Sequence, residues 1–280
     1  ATAYECVTQP DPEARAIVVP GGFTVTESLL ASLPKLEIIS VFGVGYDGVP
    51  LAPCRERGIR VTNTPDVLTD DVADIATALV LMTSRRLAEA ECFTRAGTWT
   101  RSAFPLAHAL RGKTAGIFGL GRIGKAIAQR LSAHGMEIAY HGRQPQDVPY
   151  RYCSTLVALA EQSDFLVIAC PGGPSTKHLV NAEVLAALGG NGTLINIARG
   201  SVVDETALIH ALQNKVIRGA GLDVFENEPH VPAELIACEN TVLFPHVGSA
   251  THETRRAMAA LVIENLAAHF AGRDLLTPVC

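Results

Sequence analysis

The chain has 280 residues, 48% of them hydrophobic, with 24 glycines, more than one compact core usually holds, so two domains are expected. Its net charge of −5 is spread without a basic block, which argues against nucleic acid as a partner. No apolar run reaches the roughly 18 residues of a membrane span, so no membrane partner is expected either.

Apolar strands alternate with amphipathic helices, the pattern of an α/β chain. A strand is predicted at Ala16–Pro20, a helix over Thr26–Leu33 stopped by Pro34, and a buried strand over Leu36–Phe42. Leu51–Arg57 reads as a short helix ending at Gly58, followed by a strand over Ile59–Thr62. Thr69 caps a long helix running towards Ala96, with Asp70 and Asp71 suiting its positive end. The stretch Tyr4–Pro20 is short for a strand, a crossover helix and a strand, so a piece of the N-terminal unit is expected to be missing. The chain starts without Met and shows no charged-then-apolar leader, so no targeting signal is read.

The second half follows the same rhythm. Strands are predicted at Thr114–Phe118, Met136–Tyr140, Phe165–Cys170, Thr193–Ile197, Gly219–Val224 and Val242–Phe244. A helix runs from the turn after Phe118 to about His134, and the last spans His252–Ala271. Seven cysteines (Cys6, Cys54, Cys92, Cys153, Cys170, Cys238, Cys280) have no C-x-x-C spacing. Their odd number and apolar neighbours point to buried free thiols in a reducing, cytoplasmic compartment, with no metal site or disulfide frame.

The turn Gly119–Leu120–Gly121–Arg122–Ile123–Gly124 follows a strand, opens a helix and precedes a second strand. That context makes it a dinucleotide fingerprint. Gly119 permits the tight turn, Gly121 lets backbone N–H groups approach a pyrophosphate, and Gly124 allows close helix–strand packing. NAD enzymes usually carry Asp or Glu about 20 residues past the motif to bind the ribose 2′-OH. Here the position reads His141–Gly142–Arg143–Gln144. A carboxylate would repel a 2′-phosphate, whereas Arg143 would pair with one, so NADPH is favoured over NAD. The alternative is that Arg143 is a solvated loop residue.

Several runs together resemble the D-isomer-specific 2-hydroxyacid dehydrogenase family, along nearly the whole chain. They are Gly43–Val44–Gly45–Tyr46–Asp47, Thr62–Asn63–Thr64–Pro65–Asp66–Val67–Leu68–Thr69–Asp70, the glycine turn, Asn196–Ile197–Ala198–Arg199–Gly200, Gly221–Leu222–Asp223–Val224–Phe225–Glu226–Asn227–Glu228–Pro229 and Pro245–His246–Val247–Gly248–Ser249. The loop His141–Pro145 and the ending Leu275–Val279 are similar to the glyoxylate/hydroxypyruvate reductase branch, including plant hydroxyphenylpyruvate reductases.

The resemblance implies two Rossmann-like doubly wound parallel-sheet domains with a cleft between them. Residues 1–66 and 251–280 would form a discontinuous substrate domain, and residues 67–250 the NAD(P)-binding domain. It places the family's Arg, Glu and His on Arg199, Glu228 and His246. A histidine titrating near neutrality suits the proton donor in reduction of a 2-oxo acid. Glu228 would orient it and favour its charged form, and Arg199 would hold the substrate carboxylate and polarise the carbonyl. Val44 and Gly45 would offer backbone N–H groups to that carboxylate.

Cofactor contacts are implied for Thr69, Cys170, Pro171, Ala198, Asp223 and Gly248. Asp223 would bind the nicotinamide carboxamide, with a turn or cap role as the alternative. Thr69 would serve the cofactor, the helix end, or both. After Cys170 the family often has Pro-Leu-Thr-Pro, and Pro171–Gly172–Gly173–Pro174 departs from it. The long helix after Thr69 resembles the family's dimer-forming element, so a homodimer is expected. Trp99 and Phe104 would then face the partner, or else pack within the chain. The rivals are an NAD-linked phosphoglycerate dehydrogenase and a nucleotide-sensing corepressor of the same fold. The choice among glyoxylate, hydroxypyruvate and an aryl-pyruvate stays open, with Phe23 a candidate influence.

Overall fold

The computed structural model describes residues 5–280; Tyr4, where the short N-terminal stretch begins, lies outside them. The chain divides into two compact units, Ala1–Leu68 with Thr251–Cys280, and Thr69–Ala250.

The smaller unit carries a three-stranded parallel sheet in the order β1-β2-β3, from Ala16–Pro20, Ile38–Phe42 and Arg60–Thr62. Helix α1 (Glu27–Ser32) starts where the Thr26 side chain accepts the Leu29 N–H, and α2 (Leu51–Glu56) precedes β3. The last helix, α10 (His252–Phe270), packs on β2. The tail after it returns to the sheet edge: Val279 N–H donates to the Val61 carbonyl at 2.7 Å. Buried Asn265 of α10 holds that tail, accepting the Leu276 and Thr277 N–H groups at 3.0 and 3.2 Å. A buried amide left unpaired is costly, so these bonds favour the observed path of the chain end.

The larger unit is built on a seven-stranded parallel sheet in the order β10-β9-β8-β7-β4-β5-β6. Its strands are β4 (Thr114–Phe118), β5 (Glu137–His141), β6 (Arg151–Tyr152), β7 (Phe165–Ile168), β8 (Thr193–Asn196), β9 (Gly219–Leu222) and β10 (Thr241–Leu243). The central strands β7, β8 and β9 are buried along their whole length, as a sheet covered on both faces requires. The order reverses between β4 and β7, and ligands of open α/β sheets sit beyond the carboxyl ends of strands at such a point. Deleting a side chain such as Ile117 or Leu166 from this core would cost about 2–5 kcal/mol.

The long helix expected over Thr69–Ala96 is two helices, α3 (Thr69–Arg85) and α4 (Leu87–Arg95). Arg86 between them has φ 52°, in the left-handed region, which ends an α-helix. Its side chain is anchored on both sides, bonding Glu89 and lying 5.2 Å from the centre of the Phe104 ring. Thr69 is itself the first helical residue of α3 rather than a flanking cap.

All seven cysteines are free thiols. Cys54, Cys153, Cys170 and Cys238 are buried as expected, but Cys6 and Cys92 are exposed and Cys280 is half-buried. Cys92 lies on α4, which buries none of its residues.

Candidate active site

The glycine turn sits at the carboxyl end of β4 and leads into α5 (Arg122–Ala133). Gly119 has φ +99°, and a Cβ on it would lie 2.6 Å from the Cys170 backbone. A Cβ on Gly124 would lie 2.1 Å from the Gly119 carbonyl oxygen. Those two glycines are therefore needed by the fold itself. Gly121 differs: nothing lies within 4 Å of where its Cβ would be. As the residue preceding α5 it supplies no side-chain cap to the helix. The helix start thus has no side-chain cap and open space beside Gly121, and such a start suits an anion.

At the end of β5, His141 is held by its ring. Nδ1 lies 2.8 Å from the Cys153 carbonyl, and the ring stacks between Phe118 and Tyr152. A carbonyl only accepts, so Nδ1 carries the proton. Gly142 has open space around it, and Arg143 is exposed with no ion-pair partner among the described residues. Next to the turn, Cys170 is buried and its thiol is pushed up to about 12 by desolvation. It therefore stands beside the glycine turn as an uncharged thiol. The Pro171 carbonyl accepts the Thr176 hydroxyl at 2.8 Å, closing the turn through Gly172 and Gly173.

At the last position of β8, buried Asn196 shapes the Ala198–Arg199 corner. Its Oδ1 accepts the Ala198 N–H at 3.1 Å and its Nδ2 donates to the Arg199 carbonyl at 2.9 Å. Arg199 Nη1 donates to the Ala198 carbonyl at 2.8 Å. The next residue, Gly200, packs directly on the loop after β9: a Cβ there would lie 1.9 Å from the Phe225 carbonyl carbon. Close backbone approach thus brings Arg199 beside the segment that carries Glu228.

Glu228 uses both carboxylate oxygens. Oε1 accepts the Phe225 N–H at 3.0 Å, and Oε2 lies 2.7 Å from His246 Nδ1. The acceptor on Nδ1 leaves Nε2 as the ring atom able to exchange a proton outward. Burial pushes the Glu228 carboxyl up, but the His246 contact, the Phe225 N–H and the charges of His246 and Arg199 outweigh it, so its pKa is lowered.

His246 has φ 53°, an uncommon backbone state for a residue with a Cβ. Buried Asp223 clamps the residues after it, accepting the Val247 and Gly248 N–H groups, both at 2.8 Å. Burial raises the Asp223 pKa, with those two N–H bonds opposing. Its two carboxylate oxygens thus hold the loop after His246.

The D-isomer specific 2-hydroxyacid dehydrogenase NAD-binding domain model matches residues 77–248. Glyoxylate/hydroxypyruvate reductase A of Arabidopsis thaliana is 53% identical over 95% of this chain and 85% of its own length. Hydroxyphenylpyruvate reductase of Plectranthus scutellarioides is 52% identical over the same shares. The chain belongs to the D-isomer specific 2-hydroxyacid dehydrogenase family. As a member it is an oxidoreductase. The crystal structure of the NADPH-dependent glyoxylate/hydroxypyruvate reductase of Sinorhizobium meliloti, in complex with NADP and malonate, superposes with a TM-score of 0.93 at 53% identity. The alignment covers 98% of this chain and 86% of that one. These relatives fall in the branch that the loop after β5 and the C-terminal ending resemble.

For this family member, Arg199, Glu228, His246, Asp223, Gly248, Ala198, Cys170, Pro171, Thr69 and the glycine turn all belong to the larger unit, whereas Val44 and Gly45 belong to the smaller. There Asn63 Nδ2 donates to the Val44 carbonyl at 2.8 Å. Sequence reasoning gave Asn196 no role of its own within its family-like run, although an amide ending a buried strand is a recognisable turn former. It also missed a second histidine–glutamate contact, His178 Nε2 to Glu226 Oε1 at 2.7 Å. Glu226 is further engaged through its N–H, which donates to Glu205 Oε2 at 3.2 Å. That pair lacks a clamp like Asp223 on its histidine loop among the described residues.

Proposed function

We propose that the protein reduces small 2-oxo acids, of the glyoxylate, hydroxypyruvate or aryl-pyruvate kind, to D-2-hydroxy acids with NADPH. The observation that carries this reading is the Glu228–His246 contact of 2.7 Å on a loop clamped by Asp223. His246 gives its Nε2 proton to the carbonyl oxygen as that oxygen gains charge. Glu228 holds the ring and favours the protonated form from which the proton leaves. Arg199 pairs with the substrate carboxylate and polarises the adjacent carbonyl. Backbone N–H groups at Val44 and Gly45 are assigned to the same carboxylate on the resemblance alone. Bound NADPH supplies the hydride equivalent taken up by the carbonyl carbon.

The cradle at Gly121 fits a pyrophosphate, with Leu120, Arg122 and Ile123 around it. Exposed Arg143 fits a ribose 2′-phosphate and no carboxylate stands beside it at residues 141–144. Thr69, Cys170, Pro171, Ala198, Asp223 and Gly248 are assigned to the nicotinamide side. A relative crystallised with NADP and a dicarboxylate supports both halves of this assignment. In this reading residues 67–250 bind the cofactor, and residues 1–66 with 251–280 serve the substrate.

A homodimer through the α4 side is part of the proposal. Trp99 and Leu106 are 70% and 97% exposed, and α4 buries none of its residues. Phe104 packs edge-on against Phe93 within the chain, so Trp99 and Leu106 are the residues assigned to a second copy. A cytoplasmic location suits seven free thiols. Among the described residues no helix is long and apolar enough to cross a membrane.

The test is a panel of glyoxylate, hydroxypyruvate and aryl-pyruvates with NADPH and with NADH. Reduction that favours NADPH supports the reading. Equal use of both cofactors defeats the NADPH assignment, and an NADH preference restores the NAD-linked alternative.

A further inference from the structure

We propose that Gln146, seated on Tyr140, positions the loop presenting Arg143 and thereby sets how strongly the protein prefers a dinucleotide with a 2′-phosphate. The proposal rests on the assignment of Arg143 to that phosphate.

Arg143 is exposed, and among the described residues no ion pair fixes where it points. Its placement therefore depends on the backbone carrying it, and that backbone is tied on both sides. Before it, the Tyr152 hydroxyl donates to the Gly142 carbonyl at 3.3 Å. After it, Gln146 makes four hydrogen bonds, one of them from the Tyr140 hydroxyl to its carbonyl at 3.4 Å. Its N–H donates to the Tyr140 hydroxyl oxygen at 2.7 Å, and its carbonyl accepts the Val148 N–H at 3.0 Å. Its side-chain Nε2 donates to the Leu120 carbonyl at 3.0 Å. A carbonyl oxygen only accepts, so the amide has one orientation here.

The consequence is structural coupling. Tyr140 is fully buried in β5, so its hydroxyl is a fixed point under the loop. Leu120 belongs to the glycine turn and is itself buried. Gln146 thus joins the loop bearing Arg143 to the turn that forms the pyrophosphate cradle. A loop pre-ordered in this way loses less freedom when a ligand bridges the two. A ligand without the 2′-phosphate makes no use of Arg143 and gains little from that order.

The experiment measures KM for NADPH and NADH with one 2-oxo acid in the parent, Gln146→Ala, Tyr140→Phe, Arg143→Ala and the Arg143→Ala/Gln146→Ala double variant. Gln146→Ala should raise the NADPH-to-NADH ratio of KM values by about threefold to tenfold, the effect of one neutral hydrogen bond. Tyr140→Phe should move the ratio the same way. In the Arg143→Ala background, Gln146→Ala should move it no further, because the two act as one unit. A Gln146→Ala variant that raises both KM values equally, or neither, overturns the proposal. So does a ratio change that persists undiminished without Arg143. Arg143→Ala with an unchanged ratio overturns the 2′-phosphate assignment and this proposal with it. A selective Arg143→Ala beside an unselective Gln146→Ala overturns this proposal alone.

Discussion

Glu228 and His246 meet at 2.7 Å, and the second Glu228 oxygen is occupied by the Phe225 N–H at 3.0 Å. The carboxylate is therefore held by the backbone as well as by the ring, which suits it to orient His246.

That arrangement sets a pH dependence. The Glu228 pKa is lowered from its ordinary 4.5 by the His246 contact and its other partners, which outweigh burial. A carboxyl depressed in the folded state stabilises the fold above the unfolded value and loses that contribution as pH falls through the folded value. Glu228→Gln should therefore lower the melting temperature at neutral pH, with the gap to the parent closing below pH 4.5. It should also lower turnover, since the ring loses the charged partner that orients it. Melting curves across pH and steady-state kinetics check both, and unchanged turnover would remove Glu228 as the histidine's working partner.

Asp223→Asn tests the clamp. The carboxylate accepts two N–H groups at 2.8 Å in a buried site. An amide offers one oxygen and one N–H₂, so one backbone N–H would face a donor. Leaving a buried donor unsatisfied costs about 1–3 kcal/mol. The variant should lose stability by that order and lose turnover as the His246 backbone relaxes from its φ of 53°. Denaturant melts with steady-state kinetics check this, and unchanged turnover would show that Asp223 does not position His246.

Two glycines give opposite predictions. Gly200→Ala puts a Cβ 1.9 Å from the Phe225 carbonyl carbon, whereas Gly121→Ala meets nothing within 4 Å. Gly200→Ala should fall in melting temperature and in turnover together. Gly121→Ala should melt like the parent yet bind NADPH more weakly, because its methyl enters the cradle. Thermal melts beside fluorescence titration separate the two. A Gly121→Ala variant with unchanged NADPH affinity would move the pyrophosphate elsewhere.

Much of this was legible in the sequence because its signals are local and periodic. The buried runs around Ile117, Val167 and Ile195 read as strands, and the spacing of Gly119, Gly121 and Gly124 read as a turn into a helix. The break at Arg86 was not legible, since neither Gly nor Pro marks it and its anchors, Glu89 and Phe104, act through the fold. Asn196 and Gln146 escaped for a related reason. Their amides work by bonding single backbone groups, which leaves no periodic trace. Asp223 stood out as a residue, but its two N–H partners lie 24 and 25 positions away.

The central claim is that Arg199 and the Glu228–His246 pair reduce a 2-oxo acid, and Arg199→Lys tests it most directly. Lys keeps the charge but loses the fork that grips a carboxylate with two parallel hydrogen bonds. The measurement is steady-state NADPH oxidation with glyoxylate and hydroxypyruvate, beside NADPH binding by fluorescence, for parent and variant. The account predicts a parent that turns over a 2-oxo acid, and a variant whose use of that acid falls strongly while its NADPH affinity stays nearly unchanged. A lysine variant as active as the parent, or a parent that binds NADPH but reduces neither acid, would contradict it.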